Sequence, residues 1–196
     1  MQKKDISNEQ IILGIDPGTN VLGYSIIAVS KKNIALLDMD VLKLNTKDDL
    51  STRMKIIFDF ILSQIENHKP DMLAIEAPFF GKNIQSMLKL GRAQGLCIAA
   101  ALSRNIPFVE FSPRRIKQSI TGNGASSKEQ VAAMLQRIIH FEEIPKYLDA
   151  TDALAVAVCY AFQKNIQPNE TPKKAPKNNT SSWATFVSAN PNRIKE

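Results

Sequence analysis

Histidine and cysteine are nearly absent from this 196-residue chain, with two of each. His68 and His140 have no partner at ligand spacing, and Cys97 and Cys159 form no C-x-x-C pair, so the pattern speaks against a zinc or dithiol site. Both cysteines lie inside apolar runs and are expected as buried thiols of a reducing compartment. No apolar run approaches the ~18 residues that span a bilayer. The first ten residues, MQKKDISNEQ, are polar and lack a signal-peptide core, so the expected location is the cytoplasm. A second glycine-rich phosphate loop to accompany DPGTNVLGYSI is also missing, and this weighs against a nucleotide-binding ATPase.

What is present is an ordinary globular composition, 44% apolar, with a net charge of +6 that suits an anionic partner. Composition changes near Asn165. Residues 165–196 carry Pro, Asn, Ser, Thr and Lys without a period, and five basic against two acidic residues give them half of the net charge. The expected organisation is a folded domain over 1–164 and a disordered basic tail over 165–196.

The folded part opens with strand-like runs at 11–16, 21–30 and 33–44, joined by short turns that favour antiparallel neighbours. Helical spacing follows over 49–67, then the short buried strand of DMLAIEAP. A long helix is expected over 83–104. Its Gly91 and Gly95 leave bare patches on one face, for packing within the subunit or for a dimer contact. IPFVEF reads as a fifth strand, and Ser112-Pro113 as the cap and first residue of a short helix. Ser126 and Glu129 have capping-box spacing for a helix to about Ile139, and a last helix is expected from Asp149 to Lys164. Three antiparallel strands and then two strand–helix units predict an α/β fold with a mixed five-stranded sheet flanked by helices.

Four acids stand at the ends of apolar elements: Asp16, Glu76, and the pair Asp149 and Asp152, one helical turn apart. Each alone has a plain structural explanation, as a turn residue, a cap or a first-turn acid. Together at one sheet edge they would repel each other unless a cation cancels the charge. Hard cations prefer oxygen ligands, so an all-carboxylate site suits Mg²⁺. Two such ions can activate a water and stabilise the leaving oxygen in phosphodiester hydrolysis.

GIDPGTNVLGYSII, LAIEAPFFGKNIQSMLKLGRAQG, RRIKQSITGNGASSKEQV and DATDALAVAV, taken together and in this order, resemble the RuvC family of crossover-junction endodeoxyribonucleases. The resemblance covers about residues 11–163. It implies a ribonuclease-H-like fold, a homodimer, Mg²⁺ dependence with two ions per subunit, and paired nicks that resolve four-way DNA junctions. It also implies that Asp16, Glu76, Asp149 and Asp152 are the catalytic acids and metal ligands. Phe79 falls at the family's aromatic wedge, Lys117 and Lys128 at its catalytic-side lysines, and the RuvA–RuvB branch-migration complex is the implied partner.

The residues around these positions have readings of their own. In PFFGKN, Pro78, Gly81, Lys82 and Asn83 mark a surface loop that would present Phe79 and Lys82 to DNA, with Phe80 left to packing. Arg114, Arg115, Lys117 and Lys128 surround a glycine-containing turn. They form either a solvated face or the cations that draw a phosphate backbone toward an acidic site, with Arg115, Lys117 and Lys128 taken as DNA-binding candidates. A DNA-holding module without catalysis and a related nuclease acting on RNA are the competing readings.

Overall fold

The computed structural model describes residues 9–30, 33–78, 84–139, 141 and 144–166. The sheet is built from β1 (Gln10–Asp16), β2 (Val21–Ser30), β3 (Asn33–Lys43), β4 (Met72–Glu76) and β5 (Phe108–Phe111). Its order is β3-β2-β1-β4-β5. β1 pairs antiparallel with β2, and β2 with β3, as the short turns predict. β4 runs parallel to both β1 and β5. Because β1 and β4 are parallel, with Ile15 opposite Ile75, Asp16 and Glu76 leave the sheet at the same edge. The first structural requirement for a shared acid site is thereby met by strand direction alone.

Side chains alternate across the sheet and feed two cores. Leu13, Ile15, Leu73 and Ile75 face helices α1 (Leu50–His68) and α2 (Ile84–Leu102), where Ile57, Ile61, Ala93 and Cys97 are fully buried. Ile12, Ile27, Ala74 and Phe111 face α3 (Pro113–Thr121), α4 (Lys128–Ile138) and α5 (Leu148–Ile166). Both cysteines are free and buried, as expected.

α5 lies unusually close to the strands. A Cβ at Gly14 would sit 2.3 Å from the Ala153 carbonyl oxygen, and one at Gly23 would sit 1.9 Å from that of Asp149. Ser25, fully buried, completes this small-residue seat. Any larger side chain would lift the helix from the sheet.

Helix ends follow the sequence apart from the starts of α4 and α5. Asp49 caps α1 through the Thr52 amide, and Ser112 caps α3 with Pro113 in the first turn. The expected capping box of Ser126 and Glu129 is displaced by one residue. Ser127 is the cap, accepting from the Gln130 amide, and the Gln130 side chain accepts from the Ser127 amide. Ser126 is already committed, its hydroxyl 2.8 Å from that of Thr121 within the α3–α4 turn. α5 begins at Leu148, so Asp149 is a first-turn acid and not the cap. β5 is shorter than the run IPFVEF, although the Pro107 carbonyl still accepts from Leu73.

The outer strand β3 carries Asp38 and Asp40, whose carboxylates accept from the next residues' amides, Met39 and Val41. On α2, no described atom beyond the adjoining residues and the helix's own backbone lies within 4 Å of a Cβ built at Gly91 or Gly95. The packing alternative for these glycines within one subunit therefore finds no support among the described residues. α5 runs to Ile166, so the first two residues of the expected 165–196 tail are helical, and the remainder lies outside the described residues.

Candidate active site

Asp16 reaches the site from the end of β1, and Asp149 and Asp152 reach it from the first turns of α5, seated on Gly14 and Gly23. One carboxylate oxygen from each of these three acids lies within 4.8 Å of the others. Glu76, at the end of β4, lines the same cavity of about 210 Å³ with Asp16, Asp152, Lys117 and Lys128. The structure thus brings together all four acids that the sequence singles out, three tightly and Glu76 beside them.

Lys128, the first residue of α4, is inserted among the acids. Its ammonium pairs with Asp152 and stands 3.5 Å from Asp149. Burial alone would lower its pKa, but the hydrogen bond to Asp152 and the charges of Asp152, Asp16 and Asp149 hold it well above the usual lysine value. The acids shift upward as well, which for a carboxyl disfavours the charged form. Burial, reinforced by Glu76, Asp152 and Asp149, pushes Asp16 well above the ordinary carboxylate range. Burial and the Asp152 charge push Glu76 up to about 7, with Lys128 and Lys117 opposing. Asp152 is raised by burial, against its bond to Lys128.

One lysine does not neutralise four carboxylates, and burial together with that deficit raises the pKa values of Asp16, Glu76 and Asp152. The donor set is oxygen throughout and crowded enough for a shared ion, so the residues fit a hard divalent cation. Proton and metal compete for the same oxygens, and the sign of the pH effect follows. A carboxyl whose folded pKa exceeds its unfolded value makes folding less favourable as pH rises between the two. Metal-free protein should therefore lose thermal stability as pH climbs from about 4.5 to about 7, the window set by Glu76. Mg²⁺ should raise the melting temperature more at pH 8 than at pH 5.5. Differential scanning fluorimetry with and without Mg²⁺ checks both slopes, and a pH-independent Mg²⁺ response would contradict the charge deficit.

The basic candidates divide. Lys117 and Lys128 line the acid cavity. Arg115 turns away toward α5: it donates two hydrogen bonds, 2.6 and 2.7 Å, to the Gln163 side-chain oxygen in the amide orientation that satisfies both groups. Its guanidinium also lies 5.8 Å from the centre of the Phe111 ring. Phe79, Phe80 and Lys82 fall outside the described residues.

Two features near this edge escape sequence reasoning. Arg53 of α1 donates to the Thr19 carbonyl at 3.1 Å and to Asn20 Oδ1 at 3.3 Å, fixing the turn that follows Asp16. At the end of β3, the Lys43 ammonium sits 4.1 Å from the centre of the Tyr147 ring, with Lys146 at 6.0 Å. Both contacts join segments far apart in the chain, so no local spacing announces them.

The sheet order and the acids on β1, β4 and α5 define a ribonuclease-H-like nuclease, the class of the solved structures that this chain resembles. The family model described as crossover junction endodeoxyribonuclease RuvC matches residues 12–160, and the chain belongs to that family. Among curated relatives, the RuvC of Cytophaga hutchinsonii is 51% identical over 187 residues, covering 95% of this chain and 89% of its own. That of Bacteroides fragilis is 49% identical over 189 residues, covering 95% and 97%. Thermus thermophilus RuvC, solved in complex with a Holliday junction substrate, superposes with a TM-score of 0.75 at 30% identity, covering 80% of this chain and 95% of that one.

Proposed function

We propose that this nuclease resolves four-way DNA junctions by Mg²⁺-dependent phosphodiester hydrolysis, acting as a homodimer that nicks two opposing strands. The observation that carries the reading is the single cavity holding Asp16, Glu76, Asp152, Lys117 and Lys128, with Asp149 completing the acid cluster. Membership of the RuvC family and the likeness to a relative solved with junction DNA supply the substrate class.

Asp16, Glu76, Asp149 and Asp152 would hold the cation, and two Mg²⁺ ions bound there would supply an activated water and charge stabilisation at the leaving oxygen. Lys128 orients Asp152 and offsets the acids' mutual repulsion. Lys117, lining the same cavity, supplies positive charge toward an incoming phosphate that the acids would otherwise repel. Phe79 and Lys82, which follow β4 in the sequence, are assigned to the junction itself, where stacking a base on a phenylalanine gains roughly 1–3 kcal/mol. Arg115 is also assigned to DNA, its guanidinium held in place by Gln163 and Phe111 through only part of its donor set.

The dimer reading is supported by α2. Ile84, Leu88 and Leu102 are 63, 49 and 52% exposed and share one helical face with the open Gly91 and Gly95. An isologous contact there would present two equivalent sites to one junction. The reading also assigns cutting to residues 1–164 and an auxiliary, salt-sensitive contact to the basic residues of 165–196. RuvA–RuvB is the proposed branch-migration partner and the cytoplasm the proposed location. Among the described residues no helix is long and apolar enough to cross a membrane.

The deciding experiment offers a synthetic four-way junction, linear duplex DNA and an RNA–DNA hybrid to the full chain with and without Mg²⁺. Symmetric nicks confined to the junction and dependent on Mg²⁺ are expected. Sedimentation should give a species of twice 21.8 kDa. Preferential cutting of the hybrid would instead make this an RNA-directed nuclease.

A further inference from the structure

Glu76 is the last residue of β4, and its side chain lies on the α5 face of the sheet, the face shared with Ala74 and Phe111. On the opposite face, α2 carries a polar residue in an otherwise apolar row. Gln94 is 7% exposed and is flanked by the fully buried Ala93 and Cys97. Its Nε2 donates to the Glu76 backbone carbonyl at 3.3 Å and to the Glu110 carboxylate at 2.5 Å. Glu110 belongs to β5 and stands opposite Ile75 in the ladder, while the Ala77 amide donates to the Phe111 carbonyl at 2.9 Å. The terminal peptide of β4 is thus gripped from β5 on one side and from α2 on the other. β4 has no further strand residues past Glu76 to hold this peptide.

We propose that Gln94 is a positioning residue for Glu76, fixing the direction in which that carboxylate enters the metal cavity. Its charge-assisted bond to Glu110 anchors the amide, leaving the second N–H aimed at the Glu76 carbonyl. The same helix presents Gly91 and Gly95 outward, within one turn of Gln94. Seating of the outer face of α2 and alignment of the acid site are therefore linked through one side chain. This rests on the reading of Glu76 as a metal ligand.

Gln94→Met tests it, because methionine keeps length and volume while removing both donors, and a merely space-filling role tolerates that exchange. Mn²⁺ binding is measured on the full, chelator-treated chain from the free-Mn²⁺ electron paramagnetic resonance signal, together with the Mg²⁺ dependence of junction cleavage. A loss of about tenfold in Mn²⁺ affinity is expected, as for other residues that orient metal ligands from behind. The half-saturating Mg²⁺ for cleavage should rise by the same factor, with junction affinity in the absence of metal unchanged. Unchanged Mn²⁺ affinity, with only the melting temperature lowered, would overturn the proposal. Should Gln94→Met not fold, Glu110→Gln leaves Gln94 in place and removes only its charged anchor. Mn²⁺ affinity reduced a few-fold would then support the proposal, and wild-type affinity would overturn it. If the wild-type chain binds Mn²⁺ but cuts no junction, the junction reading fails while the Mn²⁺ comparison still decides the role of Gln94.

Discussion

Asp16→Asn will lose junction cleavage by about three orders of magnitude or more, equivalent to ~4 kcal/mol of transition-state stabilisation. Asparagine has the same shape but offers one neutral oxygen in place of a charge that the metal must see. The charge of Asp16 is disfavoured by burial and by three neighbouring carboxylates. Removing that charge relieves repulsion, so the metal-free variant should melt at or above the wild-type temperature. Junction binding should persist, because the remaining cavity becomes less negative and Lys117 and Lys128 are untouched. The combination of retained fold, retained binding and lost cutting separates chemistry from architecture. Near-normal nicking in Mg²⁺ would remove Asp16 from the reaction.

Gly23→Ala will damage the same activity from a distance, through α5. The added methyl would lie 1.9 Å from the Asp149 carbonyl oxygen and 2.5 Å from its carbon, which are backbone atoms that cannot swing aside. Either the first turn of α5 lifts or β2 shifts, at a cost of about 1–3 kcal/mol. Asp149 and Asp152 ride on that turn, and a displacement near 1 Å at a catalytic group costs about a hundredfold in rate. Circular dichroism should report a folded but less stable protein, with weakened Mn²⁺ binding and cleavage reduced at least a hundredfold. Wild-type cleavage in this variant would show that the seat under α5 does not set the spacing of the acids.

These two glycine and aspartate positions also mark how much was legible beforehand. The acids were readable because each interrupts or ends an apolar element, a pattern that a solvated turn residue rarely repeats four times. The antiparallel β1–β3 arrangement followed from turns too short for a crossover. The cap of α4 was not decidable, since Ser126 and Ser127 both have a suitable residue three places on. The tie is broken by the hydrogen bond between the Ser126 and Thr121 hydroxyls, a contact between turn and helix that spacing does not encode. Arg115 looked like its basic neighbours. Only the approach of α5 shows that Gln163 occupies its guanidinium. Gln94 was hidden for a related reason: a glutamine in an apolar helix gains meaning when its partner proves to be the backbone of Glu76.

The outer strand β3 has a consequence for how copies of this protein meet. An exposed strand edge invites another strand to add to it, the route by which soluble sheets become fibrils. Here the amides of Met39 and Val41 are already taken by the carboxylates of Asp38 and Asp40. An incoming strand would have to displace two charged acceptors and bring its own carbonyl oxygens against them. Edge-to-edge growth is thereby discouraged, and a sheet that cannot extend through β3 leaves the proposed helix-to-helix contact of two copies without a competing route to open-ended assembly.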